Sequence, residues 1–191
     1  MSITDKSFSP EEIILLKKMK GRILQTVDAV IIARGDMSWQ TVRLHFDGLH
    51  VDIINTLGKI EVDELGTIDE FGLLSVCEAS SDLLDIPEAS ADTTTMSIYL
   101  PVIGVDIAID AIDVSGNGNL VASIVYPQAI ALQFPDYVLV LDKENWFSEM
   151  IAVKQGVDMD TLLYDESVNW EDNPEEDPTT HYDFNIKRIS L

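Results

Sequence analysis

His45 and His50 are the first residues in this sequence whose type and spacing could do chemistry. They flank Asp47-Gly48 in the run Leu44-His-Phe-Asp-Gly-Leu-His-Val51. A two-residue Asp-Gly turn makes an antiparallel hairpin, with both central residues expected at positive φ. That turn pairs Phe46 with Leu49, His45 with His50, Leu44 with Val51, Arg43 with Asp52 and Val42 with Ile53. One face is then Val42, Leu44, Phe46, Leu49, Val51 and Ile53, all apolar, and the other carries His45, His50, Arg43 and Asp52. Two adjacent imidazoles could serve acid–base catalysis or begin a zinc site. A closed zinc site needs four ligands, however, and a catalytic one three. His181 is remote in sequence. Cys77, in Leu73-Leu-Ser-Val-Cys77, reads as a small buried hydrophobe. The plain reading is an exposed polar pair across two strands.

A second constellation is Asp113-Val-Ser115-Gly-Asn117-Gly118-Asn119-Leu120. It follows the opening of a calcium loop, with oxygen side chains at positions one, three and five and glycine at six. Position twelve should be Glu and is Ile124. A turn between two strands explains the same residues. Acidic pairs are abundant: Asp63/Glu64, Asp69/Glu70, Asp82/Asp85 and Asp165/Glu166. A catalytic dyad needs one carboxyl placed in an apolar pocket, and nothing in the sequence sets one pair apart. No G-x-S-x-G, P-loop, G-x-G-x-x-G, H-E-x-x-H or C-x-x-C pattern occurs. The sequence therefore predicts no catalytic residues, no metal and no cofactor. Among the tryptophans, Trp39 and Trp146 read as packing. Trp170 stands between acids, with Glu171 and Asp172 after it, and fits an anchor against a basic partner.

The charge behind these acids is large: 34 Asp and Glu face 12 Lys and Arg, for −22 over 191 residues. It is also unevenly placed. Residues 60–142 hold fifteen acids and no Lys, Arg or His, while residues 1–59 hold eight basic and seven acidic residues. Nucleic acid and anionic membranes require a clustered basic surface, and the one cluster here is Lys17, Lys18, Lys20 and Arg22. A field this negative attracts basic proteins and speeds their association. One cysteine and the absence of a leader-like N-terminus or a long apolar run predict a cytoplasmic protein.

The elements that must position these residues are mostly strands. Ser9-Pro10-Glu11-Glu12 is a capping box that starts a short amphipathic helix over residues 10–20, closed by Gly21. Strands are expected over 23–33, 40–46, 49–54, 105–114 and 120–126. Residues 145–153 read as a short helix or a strand, and 158–164 as a short helix. An acidic loop is expected over 165–180, with residues 184–191 returning as an edge strand.

The second half echoes the first. Val42-x-Leu44-x-Phe46 aligns with Ile130-x-Leu132-x-Phe134 at an offset of 88, where Val51 and Ile53 meet Leu139 and Leu141. Upstream, Gly21 and its strand resemble Gly104 and the strand after it. The fold expected is α+β, mainly antiparallel β, with two similar β-meander halves and a short N-terminal helix. The expected organisation is residues 1–77, a polar acidic linker over 78–97, and residues 98–191, which can pack as one domain.

The stretches Leu44-His-Phe-Asp-Gly-Leu-His-Val-Asp-Ile53 and Gly66-Thr-Ile-Asp-Glu-Phe-Gly-Leu-Leu-Ser75 resemble bacterial polymorphic-toxin and contact-dependent-inhibition immunity proteins. The resemblance covers about a third of the chain and rests on no diagnostic motif. It implies a non-catalytic cytoplasmic protein that blocks a cognate toxin domain. With the charge, the expected partner is a basic toxin domain, such as a nuclease, whose active site the chain covers, and the expected state is monomer or homodimer. The acids expected to meet that partner are Asp63, Glu64, Asp69, Glu70, Asp82 and Asp85, with Trp170, Glu171 and Asp172 as a second group. Two alternatives remain open: a small metal-free, RNase-like hydrolase using His45 and His50, and a phage or structural assembly protein.

Overall fold

The structure, a computed structural model, describes residues 2–31, 37–62, 66–79, 92–143, 148–163 and 180–191. Among the described residues, twelve strands and one helix follow in order: β1 (Ser2–Asp5), α1 (Pro10–Met19), β2 (Ile23–Ile31), β3 (Met37–Phe46), β4 (Leu49–Val62), β5 (Gly66–Glu78), β6 (Asp92–Pro101), β7 (Gly104–Gly116), β8 (Asn119–Gln133), β9 (Val138–Lys143), β10 (Met150–Gly156), β11 (Thr180–Phe184) and β12 (Lys187–Ser190). The mainly antiparallel, helix-poor architecture agrees with the α+β expectation, and the sheet is open.

α1 starts as its sequence dictates. The Ser9 hydroxyl accepts from Glu12 N, and the Ser9 amide donates to the Glu12 carboxylate at 2.8 Å. Leu15, Leu16 and Met19 face inward and close one end of the core.

The hairpin register read from Asp47-Gly48 is present pair for pair: Val42–Ile53, Arg43–Asp52, Leu44–Val51, His45–His50 and Phe46–Leu49. The turn chemistry differs from expectation. Gly48 takes φ +67 while Asp47 keeps negative φ, so glycine alone supplies the left-handed step. At the other candidate turn Asn117 and Gly118 both take positive φ, +51 and +75, and join β7 to β8.

The offset of 88 holds for backbone pairing. Thr41–Ile54 through His45–His50 correspond to Ala129–Asp142 through Gln133–Val138, one pair after another. The strand before each hairpin also corresponds, with Asp28 opposite Arg43 and Asp106 opposite Ala131. Gly104 therefore matches Thr26 rather than Gly21. The offset on this outer strand is 78, because β7 and β8 are joined through a hairpin ten residues longer. The inner faces of the two meanders share one core, which includes Val42, Leu44, Phe46, Ile130, Leu132 and Phe134.

Three local expectations change. Residues 92–97, placed in the linker, begin β6, which pairs along β2. The span 158–163 is a single hydrogen-bonded turn on Met159, too short for a helix. Cys77 is exposed, because β5 alternates and turns Leu74 and Val76 inward instead. Residues 150–156 are the strand alternative, and residues 187–190 the expected edge strand.

Candidate functional site

The outer face of the first meander is polar where the second is apolar. The second meander presents Ala129, Ala131, Val138 and Val140 outward and covers them with Met159, Leu162 and Leu163. At the positions matching Ala131, Val138 and Val140, the first meander carries Arg43, His50 and Asp52. Arg43 and Asp52 form a two-pronged ion pair, Nε to Oδ1 at 2.7 Å and Nη2 to Oδ2 at 2.8 Å, with both residues buried. A guanidinium fork matches a carboxylate in this way, and removing Arg43 would take the two-pronged partner from the buried Asp52 carboxylate.

One row further along the sheet, His45 and His50 meet through their Nδ1 atoms at 2.9 Å, with their rings edge to face. His45 Nε2 lies 2.8 Å from Asp28 Oδ2, and the Thr95 hydroxyl donates to Asp28 Oδ1 at 2.7 Å. Four strands, β6, β2, β3 and β4, thus contribute one continuous hydrogen-bonded row: Thr95, Asp28, His45, His50. The row is satisfied when His45 donates from Nε2 to the carboxylate and accepts at Nδ1 from the Nδ1–H of His50. Such a row can orient an imidazole or pass a proton. The Asp28 and His45 side chains are 17% and 13% exposed, so the pair is mostly enclosed rather than displayed.

The second meander shows what this arrangement does without histidine. Gln133, the counterpart of His45, donates to Asp106 Oδ2 at 2.9 Å. Asp106 Oδ2 also accepts from Arg188 Nε of β12 at 3.0 Å, just as Asp28 accepts from Thr95 of β6. The outer-strand aspartate is in each case a brace between its two neighbouring strands. His50 is the addition peculiar to the first meander, since its counterpart Val138 is buried and apolar.

Comparison with protein families, curated proteins and solved structures finds no match.

A second polar cluster joins the two meanders. Lys143 is fully buried, with Nζ 3.8 Å from the Tyr126 ring centre and 4.7 Å from that of Phe71, and it donates to Gly72 O at 3.1 Å. Tyr126 donates to Asp110 Oδ2 at 2.9 Å. Burial pushes the Asp110 carboxyl above its ordinary value, against the hydrogen bonds and the Lys143 charge that pull it down. Sequence reading passed over Asp110, Asp142 and Lys143. The available signal was a charged residue inside a run of Val, Ile and Ala.

The predicted acids fall unequally. Glu70 is exposed on β5, and Asp69 is in the same strand. Asp63, Glu64, Asp82, Asp85, Trp170, Glu171 and Asp172 lie outside the described residues. β4 and β5 close on each other at Val62–Gly66, and the three residues between them hold Asp63 and Glu64. Of the acids in this stretch, Glu61 and Glu70 are the ones described as exposed. Asp106, Asp110 and Asp142, three of the fifteen acids in 60–142, are buried and engaged inside. Among the described residues no group of three His, Cys, Asp or Glu is placed to hold a metal ion, and the Asp113–Asn119 segment serves as a strand turn. No helix among them is long and apolar enough to cross a membrane.

Proposed function

We propose that this chain is an acidic, non-catalytic binding protein, an immunity-type inhibitor that covers the active site of a basic toxin domain. The observation that carries this reading is the end of the β4–β5 hairpin. Exposed Glu61 and Glu70 stand on its two strands, and in sequence Asp63, Glu64 and Asp69 lie between them, with no cation from residue 60 to residue 142. Clustered carboxylates of this kind imitate a run of phosphates, which a nuclease-type active site is built to hold. The buried acids Asp106, Asp110 and Asp142 of the same segment are scaffold, which leaves its exposed acids to meet a partner.

The test is a fourfold neutralisation, Asp63→Asn, Glu64→Gln, Asp69→Asn and Glu70→Gln, measured against the product of the neighbouring gene. Association should slow at least about tenfold at low salt and lose most of its salt dependence. Unchanged protection in a variant with an unchanged melting curve would overturn the assignment.

A second reading is a small metal-free hydrolase, favoured by the Asp28–His45–His50 row. It requires that His50→Ala abolish a measurable turnover while the protein stays folded. Turnover that survives the substitution excludes it.

A further inference from the structure

A sheet edge is a row of unmet backbone donors and acceptors, and folded proteins blunt such edges with charges, caps or cover. The described edges of this sheet follow that rule, with one exception. β1 carries Asp5, and β11 carries exposed Asp183. β12 carries Lys187 and Arg188. β5 carries exposed Glu70 and Glu78, and its Val76 amide donates to Glu12 Oε1 at 2.8 Å. β6 pairs with β2 along one side, and no other described strand pairs with it. From Thr93 to Leu100 it reads Thr-Thr-Thr-Met-Ser-Ile-Tyr-Leu, without a charge.

The shape of β6 suits strand addition over part of its length. Thr93 to Ser97 run in unbroken register with Val30 to Thr26, and Thr93, Thr94, Thr95 and Ser97 are exposed. Beyond them the register shifts, Tyr99 takes φ +55, and Pro101 ends the strand. The irregular end blocks pairing there and leaves five regular residues of high β-propensity without a second strand partner among the described residues.

We infer that β6 receives an extended strand from a basic partner protein, which joins the sheet at this edge. The inference rests on the proposed binding role and supplies its docking mode. A second copy of the chain is the wrong occupant on charge, since it would bring −22 against −22 over a short edge. A lysine-bearing strand is the matching occupant instead, because the chain carries −22 overall and β6 itself holds no cation. Backbone pairing would supply the fit and the acids the attraction.

The experiment titrates the isotope-labelled full chain at low salt with two blocked peptides of equal charge, one of repeating Lys-Val and one of repeating Lys-Pro. Both feel the acidic field, but proline has no amide hydrogen to give a ladder. The Lys-Val peptide should shift and protect the amides of residues 93–97 and bind roughly tenfold more tightly than the Lys-Pro peptide. Thr93→Lys with Ser97→Lys, at exposed positions, should remove that advantage without moving the melting temperature. Equal binding of the two peptides, with shifts around Glu61–Glu70, would overturn the strand-addition inference and leave the acidic binding role standing. Concentration-dependent self-association abolished by the same substitutions would overturn it in favour of a second copy. Binding of neither peptide would bring down the binding role as well.

Discussion

His45 and Gln133 occupy matching positions in the two meanders, and each reaches across to the aspartate of the preceding strand, at 2.8 Å and 2.9 Å. The second meander is therefore an internal control for the first. His45→Gln should keep stability within about 1 kcal/mol, because an amide can brace Asp28 as Gln133 braces Asp106. His45→Ala should cost about 1–3 kcal/mol, since it removes a partner from an enclosed carboxylate. Urea unfolding midpoints measure both. Equal losses would show that Asp28 does not depend on the brace.

Arg43 and Asp52 lie across β3 and β4 as a buried, two-pronged pair. Arg43→Met should cost about 3–5 kcal/mol, because it strands the Asp52 charge. The double substitution Arg43→Met with Asp52→Leu should recover much of that loss, as its counterparts Ala131 and Val140 pack apolar in the second meander. Additive losses in the double-mutant cycle would refute this coupling.

Asp110 gives the protein a pH signature. Its carboxyl is raised by burial, so the folded state holds its proton to higher pH than the unfolded chain does. Stability from this group is therefore lost as pH rises from about 4, the unfolded carboxyl value, through the folded value. Asp110→Asn should gain on the wild type over that window, read as the difference between their unfolding free energies. A difference flat in pH would contradict the buried, raised carboxyl.

Asp106 runs the other way. Burial pushes its carboxyl up, but hydrogen bonds from Ser190, Arg188 and Gln133, together with the Arg188 charge, hold it below the ordinary range. Its contribution is present above about pH 4 and disappears as pH falls through the lowered folded value. Arg188→Gln should cost about 1 kcal/mol at neutral pH, discounted because Arg188 is partly exposed, and nothing in strong acid. Hydrogen exchange should also open β12 first, as that pair ties it to β7. Unchanged protection of β12 would deny the tie.

The local rules were legible and the long-range ones were not. Ser9 and Glu12 state the start of α1, and Asp47-Gly48 with alternating neighbours states a hairpin register, because both depend on residues a few positions apart. The offset of 88 was visible because equivalent inward positions carry the same hydrophobic class. The outer face was misjudged: charge on alternate residues reads as solvent exposure, yet Arg43 and Asp52 satisfy each other and are buried. Asp28 and Thr95 could not be joined to His45 from sequence, since the pairing of β6 with β2 closes a separation of more than sixty residues. Cys77 was misassigned because a run of small and apolar residues hid a strict alternation.

The parallel pairing of β1 with β8 sets an order of events at the ribosome. Ser2 lies beside Ala122 and Asp5 beside Val125, so β1 has no place to go until β8 has been made. At about 5–20 residues per second, the chain waits on the order of ten seconds between synthesis of the two. The same delay applies to Trp39 of β3, whose partner Met150 is made later still. During that interval the first meander must keep an incomplete edge from pairing with its neighbours on the same message. The acidic segment that follows it from Ile60 onward emerges before those partners exist, and segments of like charge repel one another.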